Sequence, residues 1–144
     1  MTASAHGRGG PWVFINSDLC DRELASKLRD WFKERHFTAA IPLAKAKPRE
    51  MRQYLTANLQ GSDAVVLVQG ECDETWVSRQ LLELVRQERQ RPTKLRALGL
   101  CQLPPPEKED PAFLPGYLVT IDGKQGLTPA FWAKLEAFAS TLEG

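Results

Sequence analysis

Side chains able to act as nucleophiles or metal ligands are few and scattered. The chain has three cysteines, Cys20, Cys72 and Cys101, and two histidines, His6 and His36. A cysteine nucleophile needs an imidazole within hydrogen-bonding reach. His6 falls in a Gly-rich stretch and His36 at a helix end, so neither is placed for that role. The cysteine count is odd and no pair has zinc-ligand spacing, so the cysteines read as free thiols of a reducing, cytoplasmic compartment, and no metal site is expected. No Gly-rich phosphate loop, neither G-x-G-x-x-G nor Walker type, is present. The remaining polar candidates stand just after apolar runs: Asn16-Ser17-Asp18, Lys45 after Leu43-Ala44, Gln69-Gly70-Glu71, Gln102, and Asp122. If those runs are parallel strands, these positions share the sheet edge where ligands bind.

The elements that must position them follow from the apolar pattern. Residues 12–15 read as a short strand. Leu24, Leu28, Trp31 and Phe32 recur at helical spacing, with Asp18 or Asp21 as the cap. Residues 38–43 read as a weaker strand and 44–49 as a basic loop. Met51, Leu55 and Leu59 form the stripe of a second helix ended by Gly61. The run 64–68 is apolar throughout, which fits a central strand covered on both faces. Val77, Leu81, Leu84 and Val85 mark a third helix, with Thr75 as N-cap and Pro92 as stop. Residues 95–101 and 117–121 read as the last strands, joined by a Pro-rich loop that cannot be helix or central strand. Phe131, Leu135, Phe138 and Leu142 mark a last helix opened by Pro129. Such alternation implies an α/β, flavodoxin-like three-layer fold with a five-stranded parallel sheet in order 2-1-3-4-5.

Composition narrows the function classes. With 144 residues the chain has the size of one domain, read as a flexible tail over 1–10 and a folded unit over 11–144. With 19 basic and 18 acidic residues it lacks the basic excess of a nucleic-acid binder. The longest pure apolar run, 64–68, is too short to span a bilayer, and residues 1–11 are too polar for a signal peptide. Neither nucleic acid nor membrane is expected as a partner.

Several segments taken together resemble the Toll/interleukin-1 receptor (TIR) domain family. Val13-Phe14-Ile15-Asn16-Ser17, followed by Asp18, Asp21 and Leu24, is similar to its first conserved box. Residues 59–68 resemble its second helix and third strand. Trp76-Val77-Ser78-Arg79-Gln80-Leu81 is similar to its Trp-Val-x-x-Glu-Leu segment. Pro104-Pro105-Pro106-Glu107-Lys108 looks like TIR-like domains of bacterial signalling and defence proteins. The likeness runs from about residue 11 to residue 142.

This resemblance implies one of two activities: assembly with other TIR-like domains or with a second copy, or cleavage of the nicotinamide–ribose bond of NAD. It makes NAD a ligand or substrate and implies no resident cofactor. Family enzymes carry a catalytic Glu where this chain has Gln80; Glu83, three residues on, is the backup carboxylate. Asn16, Ser17, Lys45 and Trp76 are the implied ligand-binding residues. Each also has a structural reading: Gln80 as a polar boundary residue, Glu83 and Lys45 as solvated charges, Trp76 as a packing anchor. A receiver-type phosphorylation switch would share the sheet order, but it needs an acidic residue where Gln69 stands.

Overall fold

The apolar runs pair as their burial demands. In the computed structural model, which describes residues 10–143, the strands are β1 (Trp12–Asn16), β2 (Thr38–Ala40), β3 (Ala64–Gln69), β4 (Ala97–Gln102) and β5 (Leu118–Asp122). All pairings are parallel and the order is β2-β1-β3-β4-β5. Every residue of β3 is buried, as expected of a strand flanked by neighbours and covered on both faces. Four helices complete the fold: α1 (Arg22–Glu34), α2 (Pro48–Gly61), α3 (Glu74–Gln87) and α4 (Pro129–Ser140). The expected tail, Gly10 apart, lies outside the described residues. No described helix is long and apolar enough to cross a membrane.

Alternation along the strands divides the core into two layers. Val13, Ile15, Val66, Val68 and Cys101 point to one face, where α1 and α4 cover them with Leu28, Phe32, Phe131 and Leu135. Phe14, Val65, Leu67, Leu98 and Leu100 point to the other, where Leu59 of α2 and Val77, Leu81 and Leu84 of α3 meet them. Each fully buried Leu or Phe adds about 1.5–3 kcal/mol of transfer free energy. At the outer rim the Trp31–Trp132 stack at 5.8 Å and the Arg35–Glu136 ion pair at 3.1 Å tie α1 to α4, and the Arg35 guanidinium lies 3.8 Å above the Trp31 ring. The result is a three-layer, flavodoxin-like α/β fold.

Several boundaries differ from the expected ones for identifiable reasons. β2 stops at Ala40, three residues early: it is an edge strand, and Pro42 has no N–H to extend the ladder. α2 begins at Pro48, not after the basic loop. Proline at the first helical position costs no hydrogen bond, and Glu50 accepts from the Lys47 N–H at 3.3 Å. Asp73, not Thr75, caps α3 by accepting from the Trp76 N–H at 3.0 Å. Val85, expected inward, is 39% exposed; Leu81 and Leu84 already fill the sheet-facing stripe. β4 starts at Ala97, two residues late.

Asp21 departs furthest from expectation. It makes no cap bond to α1, and Asp18 caps only the short 3-10 turn Leu19–Asp21. The Asp21 carboxylate is instead buried and accepts the N–H groups of Gly70, Glu71 and Cys72 at 3.2, 2.7 and 3.2 Å. It anchors the loop between β3 and α3.

His36 ends α1 in the left-handed region, at φ 68°. The His36 and Phe37 N–H groups bond the Lys33 and Phe32 carbonyls, the pairing of a Schellman C-cap.

Candidate functional site

The site follows from two periodicities. Asn16 lies two residues beyond Phe14, so its side chain emerges on the α2/α3 face. Trp76 and Gln80 lie four apart on α3, hence one above the other on one side of the helix. They meet at the carboxyl edge of the sheet, where Asn16 Nδ2 donates to Gln80 Oε1 at 2.8 Å. Beside this amide pair opens a cleft of about 310 Å³. Its floor is Asn16 and Ser17 at the end of β1. One wall is Pro42 and Leu43 after β2, and the others are the first turns of α2 and α3.

The spacing of Met51, Leu55 and Leu59 predicts one core-facing stripe on α2. Leu59 is buried there and the half-buried Leu55 packs against the same cluster; Met51 is exposed instead, and it lines the cleft with Leu55, Arg52 and Tyr54. The reason is helix direction. α2 starts at the carboxyl edge and runs back along the sheet, so its first two turns border the cleft, with Tyr54 and Leu55 also touching the core, and Leu59 further on is fully covered. Tyr54 packs edge-on to Phe14, with ring centroids 6.5 Å apart. The repeat of Leu and Met was visible in the sequence, but the position of the helix relative to the strand ends was not.

Of the residues the family resemblance implies for the site, Asn16, Ser17, Trp76 and Gln80 share this cleft. Lys45 and Glu83 do not line it. Lys45 is exposed on the loop outside it. Glu83 is one turn further along α3, about 4.5 Å down the axis, which carries it away from the carboxyl edge; its carboxylate accepts from Arg86 at 2.9 Å and from Gln87 at 2.8 Å. No carboxylate lines the cleft, and Arg52 is its one charged lining residue. A second lobe of about 200 Å³ shares Ser17, Pro42, Leu43 and Met51 with it and adds Asp18 and Arg22. Arg22 holds this wall by donating to the Pro42 carbonyl.

The amide pair leaves Gln80 Nε2 as a donor and Asn16 Oδ1 as an acceptor, neither with another partner among the described residues. Two such groups at the bottom of a cleft with a Trp and a Tyr in its walls can hold vicinal hydroxyls beneath a flat ring. They cannot supply a negative charge.

Elsewhere along the carboxyl edge the polar groups are occupied. Gln102 Nε2 donates to Gln69 Oε1 at 3.1 Å and to Asp110 at 3.0 Å, and Gln69 Nε2 donates to the Glu109 carbonyl at 3.0 Å. These buried amides clasp the Pro-rich crossover over the ends of β3 and β4 and enclose Gln69, the position where a receiver needs an acidic residue.

All three thiols are shifted away from the thiolate form. Burial pushes the Cys101 thiol up to about 12. Burial, then the neighbouring Asp21 carboxylate, does the same for Cys72. Cys20 is exposed, and its pKa is also raised, by partial desolvation and then by Asp21 and Asp18. Iodoacetamide at pH 8 is expected to add at most one group, at Cys20, to the folded chain and three after denaturation; rapid triple labelling in intact-mass spectra of the folded chain would contradict this. Among the described residues no group of three or more His, Cys, Asp or Glu could hold a metal ion.

Comparison with protein-family models, with curated proteins and with solved structures finds no match to this chain.

Proposed function

We propose that the chain is a TIR-like signalling or defence domain that works by homotypic association and carries an NAD-type pocket lacking the carboxylate of a glycohydrolase. The observation that carries this reading is the cleft itself: an aromatic-walled pocket at the ends of β1 and β2 with an amide pair at its base and no Asp or Glu in its lining. Such a pocket supports binding over turnover. The rim supports association. Lys45, Lys47 and Arg49 are exposed beside it and enter no ion pair among the described residues. Leu19 and Met51 expose apolar surface next to them, 69% and 38% respectively. Cations beside apolar surface suit a contact with another folded domain.

Reversing Lys45 and Lys47 to Glu is expected to change self-association, with a larger difference at low salt than at high salt because exposed charges are screened. Sedimentation velocity at two ionic strengths checks it. Superimposable profiles for native and variant chains at every concentration would remove the loop from the contact.

A second reading, a TIR-type NAD glycohydrolase or its inactivated descendant, is favoured by one observation: Gln80, the residue at the family's catalytic position, faces the cleft and not the core.

A further inference from the structure

Arg52 is the cleft residue that neither the amide pair nor the aromatic walls engage. It stands on the second turn of α2, inside the cleft wall, and is the one charged side chain in that lining. It makes no hydrogen bond or ion pair to another side chain among the described residues, although four such ion pairs form elsewhere. Glu50, the acid two positions earlier on the helix, is turned back onto the Lys47 N–H. The cleft is therefore electrostatically one-sided: apolar and aromatic walls, neutral amides at the base, and one guanidinium.

We propose that Arg52 is the anion-binding residue of this cleft and that the cleft takes a mononucleotide, with its phosphate on Arg52. This rests on the NAD-type reading of the pocket and adds the subsite and the size of the occupant. A guanidinium presents a planar fork of donors that matches phosphate oxygens. Nothing else in the lining could receive an anion's charge. About 310 Å³ stands at the lower bound of small-molecule pockets, suited to a ring, a ribose and one phosphate. In this arrangement the amides of Asn16 and Gln80 meet the ribose hydroxyls, Trp76 and Tyr54 flank the ring, and Arg52 closes the charged end.

The test uses nicotinamide mononucleotide, nicotinamide riboside and inorganic phosphate on the full chain, read by calorimetry or by chemical-shift titration. The mononucleotide is expected to bind roughly tenfold tighter than the riboside, the gain of one charge-assisted contact. That gain shrinks at high salt. Arg52→Gln should bring the mononucleotide to the riboside's affinity and leave the riboside unchanged, while Arg52→Lys keeps part of the gain. Thermal melts of the variants should match the native chain, since the side chain is exposed. Equal affinities for riboside and mononucleotide in the native chain would overturn the Arg52 assignment alone, and so would an Arg52→Gln variant that weakens both ligands equally. Tight binding of phosphate by itself would also overturn it, by showing a simple anion site. Absence of binding by both nucleoside and nucleotide would overturn it together with the pocket reading beneath it.

Discussion

Gln80→Glu is expected to raise nicotinamide release from NAD by about two orders of magnitude or more, from a native rate close to background. Cleavage of the nicotinamide–ribose bond builds positive charge on the ribose, and a carboxylate aimed at that charge stabilises the transition state more than the ground state. The substitution preserves the present geometry. Asn16 Nδ2 donates to Gln80 Oε1 at 2.8 Å, and a Glu oxygen accepts the same bond. The second carboxylate oxygen then replaces the amide nitrogen that now faces the cleft. Asn16→Ala in the Gln80→Glu background should lose part of the gain, because the carboxylate is no longer held. Time courses of nicotinamide by chromatography check both. Robust release by the native chain would refute the non-catalytic reading and move attention to Glu83, whose carboxylate is now engaged by Arg86 and Gln87; Glu83→Gln would then be the decisive variant. No gain from Gln80→Glu would end the glycohydrolase reading.

Asp21→Ala is expected to destabilise the fold by about 3–5 kcal/mol, since each buried donor left without a partner costs about 1–3 kcal/mol and some solvent can enter. For a chain of this size that lowers Tm by about 10 °C. Its carboxylate is the common acceptor of three consecutive N–H groups, Gly70, Glu71 and Cys72. Asp21→Asn should cost less: one amide oxygen can still accept from Gly70 and Cys72, while its nitrogen opposes the Glu71 N–H. Gly70→Ala attacks the same contact from the other side, since a Cβ there would lie 2.5 Å from Asp21 Oδ1. Because this loop delivers Asp73, the cap of α3, loosening it should also disorder Trp76 and Gln80 in the cleft. Thermal melts, with hydrogen exchange at residues 70–72, measure the effect. An Asp21→Ala chain melting within 2 °C of native would show that the loop holds itself without the carboxylate.

The two cases show where sequence stops being informative. Asp21 sits just before a run of helical periodicity, and local chemistry makes such an aspartate a helix cap. Its partners are some fifty residues away, and no local pattern encodes which distant N–H groups will need an acceptor. Glu83 and Lys45 stand outside the cleft lining for a related reason. Three residues along a helix is a small step in sequence but a full turn in space, and α3 runs away from the carboxyl edge. The loop after β2 lies alongside the cleft, yet its Leu43 faces in and its Lys45 faces out.

The apolar pattern alone specifies the architecture. The unbroken apolar run of β3, the helical stripes between strands and the polar stops after them require a parallel sheet covered on both faces, because burying those faces is the dominant favourable term. It also determined that Asn16 and Ser17 would stand at the carboxyl edge, since strand ends follow from where apolar runs stop. Packing of the helices on the sheet set the rest: Gln80 and Asn16 form a pair, Met51 borders a cleft while Leu59 enters the core, and Arg52 is the lone charge in that lining. Those outcomes depend on how far each helix overhangs the sheet and in which rotation it packs. Hydrophobic periodicity specifies which side of a helix is buried. It does not specify how far along the sheet that side slides before packing stops it.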